Sequence, residues 1–356
     1  MPKISTITLG CKLNFSESST IVRQFVEEYG YKLVKFGQEA DITIINTCFV
    51  TAQAEKKSKF AVKKAAKVSP NGKIIIIGCA AQLNPKKFVK YQGVEIIVGT
   101  EQKFNVTNLI QKKEDKKIFI SEPNKIKCFD AAYSISERTR SFLKVQDGCD
   151  YHCTYCAVPL ARGNSRNGSI SEIIKSANII AEKGIKEIVL TGVNIGDFGK
   201  TTGESFIELI QKLEKVEGVE RYRISSIEPN LLNDEVIDFV ANSEKFMPHF
   251  HIPLQSGSDD VLRNMKRRYN SKLFAERILN IKNKIPDAFL GIDVIVGFPT
   301  ETDENFLETY NLLKNLPVSF LHVFPYSVRP NTEAAFIKNT IPVSYTHLTL
   351  PTKRIV

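Results

Sequence analysis

Short apolar runs rich in β-branched residues alternate with helix-patterned segments in the first part of the chain. The runs are ISTITL, DITIIN, KIIIIG and VEIIVG, and SESSTIVRQFVEEYG and TAQAEKKSKFAVKKAAK lie between them. Strands that alternate with helices predict a parallel, doubly wound α/β sheet. We assign this N-terminal doubly wound domain to residues 1–120.

A second alternating series follows a linker at 121–137. Its predicted strands are SFLKVQ, KEIVLTG, RYRISSI, HFHIPLQ, FLGIDVIVG and SFLHVFP. Six β/α units predict a partial (β/α)6 barrel over residues 138–330, with its chemistry at the carboxyl ends of the strands. Residues 331–356 form an atypical tail, and we expect SYTHLTLPTKRIV at its end to be poorly ordered.

Three cysteines in KVQDGCDYHCTYCAVPLARG have the spacing C-x3-C-x2-C: Cys149, Cys153 and Cys156. A structural zinc site needs four ligands. A [4Fe–4S] cluster held by three thiolates instead keeps one iron open to another molecule. The spacing therefore favours a reactive iron–sulfur site, with a zinc site completed by His152 or a distant residue as the alternative.

Three further cysteines each follow a predicted strand: Cys11 after ISTITLG, Cys48 after DITIINT and Cys79 after KIIIIG. The carboxyl ends of parallel strands share one edge of the sheet, where ligands bind. We therefore expect these cysteines to converge. The alternative for each one alone is a small buried side chain, since free cysteine is often buried. Cys128, in the linker, has no such placement.

The composition bears on partners and compartment. The net charge of +10 over 356 residues favours an anionic partner such as nucleic acid, and the alternative is a lysine-rich solvated surface. We see no signal peptide and no membrane-spanning apolar stretch, so we expect no membrane association and a cytoplasmic location. Seven cysteines in a reducing compartment point to metal ligands or free thiols rather than disulfides.

These motifs resemble the radical S-adenosylmethionine superfamily, and in particular its methylthiotransferases. The resemblance rests on the cysteine triad with Tyr155 before its last member, on LGCKLN, NTCFV and IGCAAQ, and on HIPLQSGSDDVLRNMKRRY and DVIVGFPTET. Three branches of the family act on isopentenyladenosine in tRNA, on threonylcarbamoyladenosine in tRNA, and on an aspartate of a ribosomal protein. LGCKLN, TGVNIGDFG and LHVFPYS look most like the threonylcarbamoyladenosine branch, whereas the isopentenyl branch typically has GQNVNSY in place of GVNIGDF.

The resemblance implies two [4Fe–4S] clusters and S-adenosylmethionine as cofactors. Cys149, Cys153 and Cys156 would hold the radical cluster, and Cys11, Cys48 and Cys79 the auxiliary cluster. The activity implied is transfer of a methylthio group to C2 of N6-threonylcarbamoyladenosine next to the anticodon. We further assign cofactor contacts to a small set of residues: Tyr155, Gly192 and Glu228.

Basic residues supply candidate contacts to RNA phosphates. They are Arg162, Arg166, Arg263, Lys266, Arg267 and Arg268, and for the last four the alternative is a solvated helix face. The implied partners are the anticodon stem-loop of tRNA and a reductase or flavodoxin-type electron donor. The residues after HVFPYS do not look like the small RNA-binding β-barrel that family members usually carry there. A non-catalytic, zinc-stabilised nucleic-acid-binding protein is the alternative from another class.

Overall fold

The computed structural model of the chain describes residues 1–111, 117–135 and 139–338. Most of the expected tail, from residue 339 onward, lies outside the described residues, as do residues 136–138 of the expected linker. The domain boundaries that we drew from the sequence stay a prediction.

The N-terminal part forms a parallel sheet with strand order β2-β1-β3-β4-β5-β6. The four strands expected from the sequence are confirmed, and two short edge strands join them. The strands are β1 (Lys3–Thr8), β2 (Lys32–Val34), β3 (Ile42–Thr47), β4 (Lys73–Gly78), β5 (Val94–Val98) and β6 (Ile118–Phe119).

Both faces of this sheet are covered, which is the reason for its continuous apolar strands. Successive residues of β3 point to opposite faces: Ile44 packs in one apolar cluster with Phe25, and Ile45 in another with Val62. The doubly wound arrangement is therefore confirmed. The helices around the sheet are α1 (Lys12–Tyr29), α2 (Ala52–Val68), α3 (Cys79–Leu83), α4 (Lys86–Val89) and α5 (Val106–Gln111).

The six barrel strands expected from the sequence are also confirmed. They are β7 (Ser141–Lys144), β10 (Glu187–Thr191), β11 (Arg221–Ile224), β12 (His249–Gln255), β13 (Phe289–Val296) and β14 (Phe320–Pro325). A two-stranded antiparallel ribbon, β8 (Gln146–Asp147) with β9 (Arg166–Asn167), brackets the loop that carries the second cysteine triad.

The barrel is open and made of two parallel halves. Strands β7, β10 and β11 form one half and β12, β13 and β14 the other, and an isolated bridge between Ser226 and His251 joins them. An apolar layer between strands and helices forms the largest cluster in the described part of the chain. The helices are α6 (Val158–Arg162), α7 (Ile170–Glu182), α8 (Phe206–Glu214), α9 (Asp234–Asn242), α10 (Asp259–Asn264), α11 (Ser271–Lys284) and α12 (Asp303–Asn315).

Local sequence explains why these helices begin where they do. Ser169 and Ser205 each cap a helix with a capping box. The serine hydroxyl accepts a hydrogen bond from the backbone N–H three residues on, and the backbone N–H of the serine donates to the glutamate side chain at that position. Among the described residues, no helix combines the length and the apolar character that crossing a membrane requires.

Candidate active site

The loop after β8 gathers Cys149, Cys153 and Cys156 in one apolar cluster with Tyr151 and Tyr155. Backbone N–H groups point at two of the sulfurs: Tyr151 donates to Cys149 Sγ over 3.4 Å, and Val158 to Cys156 Sγ over 3.5 Å. Such N–H···S contacts are among the features that tune cluster-bound cysteines.

Gly148 makes the turn into this loop possible. Its φ is +70°, in the left-handed region that favours glycine, and a Cβ there would lie 1.9 Å from the carbonyl oxygen of Asn164. The backbone of Cys149 then donates to Gly163 O over 3.0 Å, which holds the start of the loop against the end of α6. Any larger residue at 148 would displace the first cysteine.

A buried arginine joins the candidate cofactor residues to this triad. Arg267 Nη1 donates to Cys153 Sγ over 3.0 Å and to the Tyr155 hydroxyl over 3.3 Å, and its other terminal nitrogen pairs with Glu228. The side chain of Arg267 is 3 % exposed. Tyr155 and Glu228 therefore meet beside the cysteines, although their contact with a cofactor stays a prediction.

Burial keeps these thiols protonated in the absence of metal. Desolvation raises the pKa of both Cys149 and Cys156 to about 12, and it also raises the pKa of Cys153, against the opposing effect of the Arg267 charge. A metal ligand must be a thiolate, so cluster assembly here has to release protons.

The other three cysteines converge at one edge of the N-terminal sheet, as expected. Cys11 is the N-cap of α1 after β1, Cys48 follows β3, and Cys79 begins α3 after β4. These three strands are neighbours in the sheet. Cys48 and Cys79 are buried, whereas Cys11 is exposed. Their role as cluster ligands stays a prediction.

Gly78 allows β4 to run close to β3 just before Cys79. Its φ is +97°, and a Cβ there would lie 2.4 Å from Asn46 Oδ1 and 2.5 Å from Thr47 O. Burial raises the pKa of Cys48 to about 11, and desolvation also raises the pKa of Cys79 while the Arg162 charge opposes it. These thiols too are protonated until a metal displaces the protons.

A cavity of about 440 Å³ lies between the two cysteine sets. Cys11 lines it from the N-terminal domain and Cys156 from the barrel, and Asp293 and Phe324 contribute from the barrel strands. Its volume falls within the roughly 300–1,000 Å³ of small-molecule sites. One bound group of that size can therefore face both cysteine sets at once.

A buried ion cluster joins the two domains next to this cavity. Glu17 of α1 accepts from Arg162 Nη1 (2.9 Å) and pairs with Lys103 (2.5 Å). Asp147 pairs with Arg162 (2.8 Å) and Lys144 (3.0 Å), and all five side chains are at most 3 % exposed. The cations hold the pKa of Glu17 at about 2 even though burial alone would raise it, and they hold the pKa of Asp147 well below its usual range. Both carboxyls are therefore ionised, and the cluster is held together by charge.

The structure corrects the assignment of Arg162 and Arg166 to RNA phosphates. Arg162 is 3 % exposed, and Arg166 is 4 % exposed, with its guanidinium on Asp147 and on the carbonyl oxygens of Cys128 and Arg162. Neither reaches the surface, because both satisfy buried carboxylates and carbonyls. The assignment of Arg267 to RNA phosphates is corrected for the same reason, since its guanidinium donates to Glu228 and to Cys153.

The remaining candidates for phosphate contacts do lie on the surface. Arg263, Lys266 and Arg268 are exposed, and each has a partner. Arg263 forms an ion pair with Asp260, Lys266 forms one with Glu333, and Arg268 donates to the carbonyl oxygen of Asp150. Their contact with RNA stays a prediction.

Gly192 has a different explanation from the one expected. A Cβ there would lie 2.8 Å from Gln146 Oε1, so packing within the protein already requires a small residue. Its contact with S-adenosylmethionine stays a prediction.

The two cysteine sets fit the iron–sulfur clusters that the sequence implies. Each offers three thiols from a preorganised backbone, and the sulfurs of Cys149, Cys153 and Cys156 each already accept an N–H bond. Cys149, Cys153 and Cys156 would hold one cluster. Cys11, Cys48 and Cys79 have the same donor chemistry for another.

Comparisons with known proteins define the class. Residues 143–313 match the radical SAM superfamily, and residues 3–99 match the uncharacterized protein family UPF0004. The chain is 41% identical to the threonylcarbamoyladenosine tRNA methylthiotransferase MtaB of Bacillus subtilis, over 96% of this chain and 77% of the relative. It is 33% identical to the tRNA-2-methylthio-N(6)-dimethylallyladenosine synthase of Thermodesulfovibrio yellowstonii, over 92% of this chain and 77% of that protein.

The protein is thus a radical S-adenosylmethionine enzyme. Within that superfamily, the chain belongs to the methylthiotransferase family, which confirms the resemblance seen in the sequence. The radical methyltransferase TsrM of Kitasatospora setae has the same fold, with a TM-score of 0.67 over 94% of this chain and 77% of that one at 12% identity. The family implies a [4Fe–4S] cluster and S-adenosylmethionine as cofactors.

Proposed function

We propose that this enzyme transfers a methylthio group to C2 of N6-threonylcarbamoyladenosine in tRNA. The observation that carries the proposal is the cavity lined by Cys11 from one cysteine set and by Cys156 from the other. Methylthiolation needs a hydrogen atom removed from a ring carbon and a sulfur placed on the same carbon. A substrate in this cavity would meet both requirements without moving.

The two cysteine sets would each hold the cofactor for one of these two steps. When bound, the cofactors supply hydrogen-atom abstraction at the Cys149 set and sulfur at the Cys11 set. The protein holds each set on a fixed backbone and keeps Arg267 against Cys153. The second cluster, at Cys11, Cys48 and Cys79, is part of this proposal.

Relatives support the choice of nucleoside. The relative named for threonylcarbamoyladenosine is 41% identical, and the one named for the dimethylallyl nucleoside is 33% identical over a similar length. Activity on the isopentenyl nucleoside, or on an aspartate of a ribosomal protein, is the alternative within the family.

The proposed partner is the anticodon stem-loop of tRNA, which suits the net charge of +10. A tRNA substrate places the enzyme in the cytoplasm. A one-electron donor is needed to start the radical reaction, and we propose a reductase or flavodoxin-type protein.

The test is nucleoside analysis by mass spectrometry after reaction in vitro. Reconstituted enzyme, S-adenosylmethionine and a reductant are incubated with stem-loops that carry threonylcarbamoyladenosine, isopentenyladenosine or unmodified adenosine. We expect a methylthio product from the first RNA alone. Product from the isopentenyl RNA, or from a ribosomal protein assayed in parallel, would overturn the choice of substrate.

Metal analysis separates this enzyme from a zinc-stabilised nucleic-acid-binding protein. Two cubane clusters require about eight iron and about eight sulfide per chain. Stoichiometric zinc with no iron chromophore would refute the enzyme assignment. Cys128→Ala is the matched control, because the exposed Cys128 belongs to neither set and its loss should not change the iron content.

A further inference from the structure

Three polar side chains meet on adjacent strands of the second half of the barrel. His251 lies on β12, Asp293 on β13 and His322 on β14, and one ligand atom of each lies within 4.8 Å of the others. The ring nitrogen His251 Nε2 is 2.8 Å from Asp293 Oδ1, and the two imidazole rings are 5.5 Å apart at their centres. We call these three residues the polar trio.

The polar trio faces the interior of the open barrel. On β12, the neighbours Phe250 and Ile252 pack in the apolar layer against the helices, and side chains alternate along a strand. His251 therefore points to the other face. Asp293 and His322 pair directly in the strand register, and that register places them on the same face as each other. The trio thus contributes nothing to the apolar layer.

An unpaired cation follows a residue of the cavity that Asp293 lines. Lys12, in the first turn of α1, is exposed and has no hydrogen-bond or ion-pair partner among residues 1–111, 117–135 and 139–338. It directly follows Cys11, and Cys11 and Asp293 line the same cavity. Arg223 of β11 differs, because it is paired with Glu187 at 2.9 Å.

Both features border the cavity between the cysteine sets. Asp293 lines that cavity, and Lys12 follows directly after its lining residue Cys11. An adenine held there with C2 toward the cysteines has its N6 substituent on the same edge of the ring. That substituent must therefore lie against the surrounding wall, part of which is Asp293 and its neighbours.

We propose that Lys12 and the polar trio form a subsite for a polar, carboxylate-bearing substituent on N6 of the target adenosine. The proposal rests on the proposed function and adds the residues that select the substrate. A threonylcarbamoyl group offers a carboxylate, a hydroxyl, a urea carbonyl and urea N–H groups. Lys12 pairs with the carboxylate, Asp293 accepts from a urea N–H, and His322 exchanges a hydrogen bond with the carbonyl or hydroxyl.

The same subsite rejects an apolar substituent. An isopentenyl group would displace water from Lys12 and the polar trio without replacing the lost hydrogen bonds. A site built around hydrogen bonds discriminates strongly against a ligand that lacks them, because its own polar groups are then left unpaired. Lys12 and the polar trio thus discriminate between the threonylcarbamoyl and isopentenyl substituents that distinguish the two tRNA branches of the family.

The polar trio also has the donor set of a divalent metal site, and charge decides against that use. Lys12 follows the cavity-lining residue Cys11, and its positive charge has no partner among the residues that the structure describes. A bound metal dication would be repelled by this charge, whereas a carboxylate is attracted. An anionic substituent is the ligand that this arrangement favours.

The test measures binding of two stem-loops to reconstituted enzyme, one with threonylcarbamoyladenosine and one with unmodified adenosine at the same position. The variants are Lys12→Met, Lys12→Arg and His322→Phe, with Lys272→Met on the exposed face of α11 as the matched control. Iron content and the cluster absorption spectrum of each variant report whether the neighbouring Cys11 site is intact.

We expect wild type to bind the modified loop about tenfold more tightly than the unmodified one, a difference of about 1.4 kcal/mol. Lys12→Met and His322→Phe should reduce this preference to about twofold or less and leave the affinity for the unmodified loop unchanged. Lys12→Arg and Lys272→Met should keep the preference.

The outcomes separate the two proposals. If wild type forms no methylthio product on the modified loop, the proposed nucleoside itself is wrong. If it forms the product but binds the modified loop no more tightly than the unmodified one, the function stands and the subsite is refuted. If wild type has the preference and Lys12→Met keeps it, the function stands and the subsite is refuted. Equal losses on both RNAs would make Lys12 a phosphate contact and overturn the subsite. Stoichiometric zinc that disappears in His322→Phe would also overturn it, because the polar trio would then be a metal centre.

Discussion

Arg162 donates from Nη1 to Glu17 Oε1 across 2.9 Å, and the two residues belong to different domains. The same guanidinium reaches Asn14 Oδ1 at 2.6 Å, and Asn14 Oδ1 lies 3.5 Å from Cys11 Sγ. A chain of polar contacts through Arg162 and Asn14 therefore connects the ion pair between the two domains to Cys11.

Removing one charge of this pair should destabilise the protein strongly. Arg162→Met leaves Glu17 buried without its main partner, and such a loss typically costs about 3–5 kcal/mol. Chemical denaturation of wild type and variant measures the difference. Arg263→Gln, which removes an exposed pair with Asp260, should cost less than about 1 kcal/mol. Similar denaturation midpoints for both variants would contradict this role of Arg162.

The two cysteine sets should act separately. Replacing Cys149, Cys153 and Cys156 by alanine should abolish reductive cleavage of S-adenosylmethionine and leave about half of the iron. Replacing Cys11, Cys48 and Cys79 should leave the cleavage and stop sulfur insertion, again with about half of the iron. Cleavage that persists without Cys149, Cys153 and Cys156 would disprove the division of roles.

Arg267 should raise the reduction potential of the cluster at Cys153. Its positive charge and its N–H bond to the sulfur stabilise the more negative, reduced state. Arg267→Gln should therefore lower the midpoint potential, on the order of 50 mV, since 59 mV corresponds to about 1.4 kcal/mol for one electron. Redox titration followed by electron paramagnetic resonance, without S-adenosylmethionine, measures it. An unchanged or higher potential would refute the effect, and Arg263→Gln should cause no shift.

Glu301 should make the protein less stable as the pH rises. It is buried between β13 and α12 and accepts a hydrogen bond from Gly297 N at 2.5 Å, and desolvation raises its pKa from 4.5 to about 7. Because the folded-state pKa is the higher one, the stabilisation is complete below about pH 4.5 and is lost as the pH rises through about 7.

Glu301→Gln removes this ionisation and keeps an acceptor for Gly297. The variant should be more stable than wild type at pH 8, by up to about 3 kcal/mol, and nearly equal to it at pH 5. Urea denaturation at the two pH values tests this. Glu308→Gln, at an exposed position of α12, serves as the control and should show no gain that depends on pH.

Arg263 and Lys266 provide a test of the surface assignment. Each contact with an RNA phosphate contributes about one to the slope of log K against log salt. The double variant Arg263→Gln, Lys266→Gln should therefore bind tRNA more weakly, with a slope smaller by up to about two. Both residues already have acidic partners, so an unchanged slope would mean that they only form surface ion pairs.

The sequence was most informative where one residue type and one strand pattern coincide. Cys48 and Cys79 could be placed because β-branched runs mark the strands before them, and parallel strands end at one edge. The short edge strands β2 and β6 were missed, because two or three residues carry too little pattern.

The ion cluster was missed because its members are far apart in sequence and ordinary by themselves. Arg162 and Arg166 looked like surface arginines, since a sequence does not show which charge a guanidinium will meet. One signal was present: Lys144 lies inside the predicted strand SFLKVQ, where a charge must find a buried partner. Likewise, His249 and His251 alternate with apolar residues on β12, which is the pattern of an interior barrel face.

Helix α1 carries Cys11 as its N-cap and Glu17 six residues further on, about 9 Å along the same rigid rod. The rod fixes the distance between the cavity-lining sulfur of Cys11 and the carboxylate of Glu17 that pairs with the barrel. Any tilt of one domain against the other is therefore converted directly into a displacement of that sulfur. A substitution at the far end of the joint can misalign the reacting atoms without touching a single cysteine, and activity should be lost well before the protein unfolds.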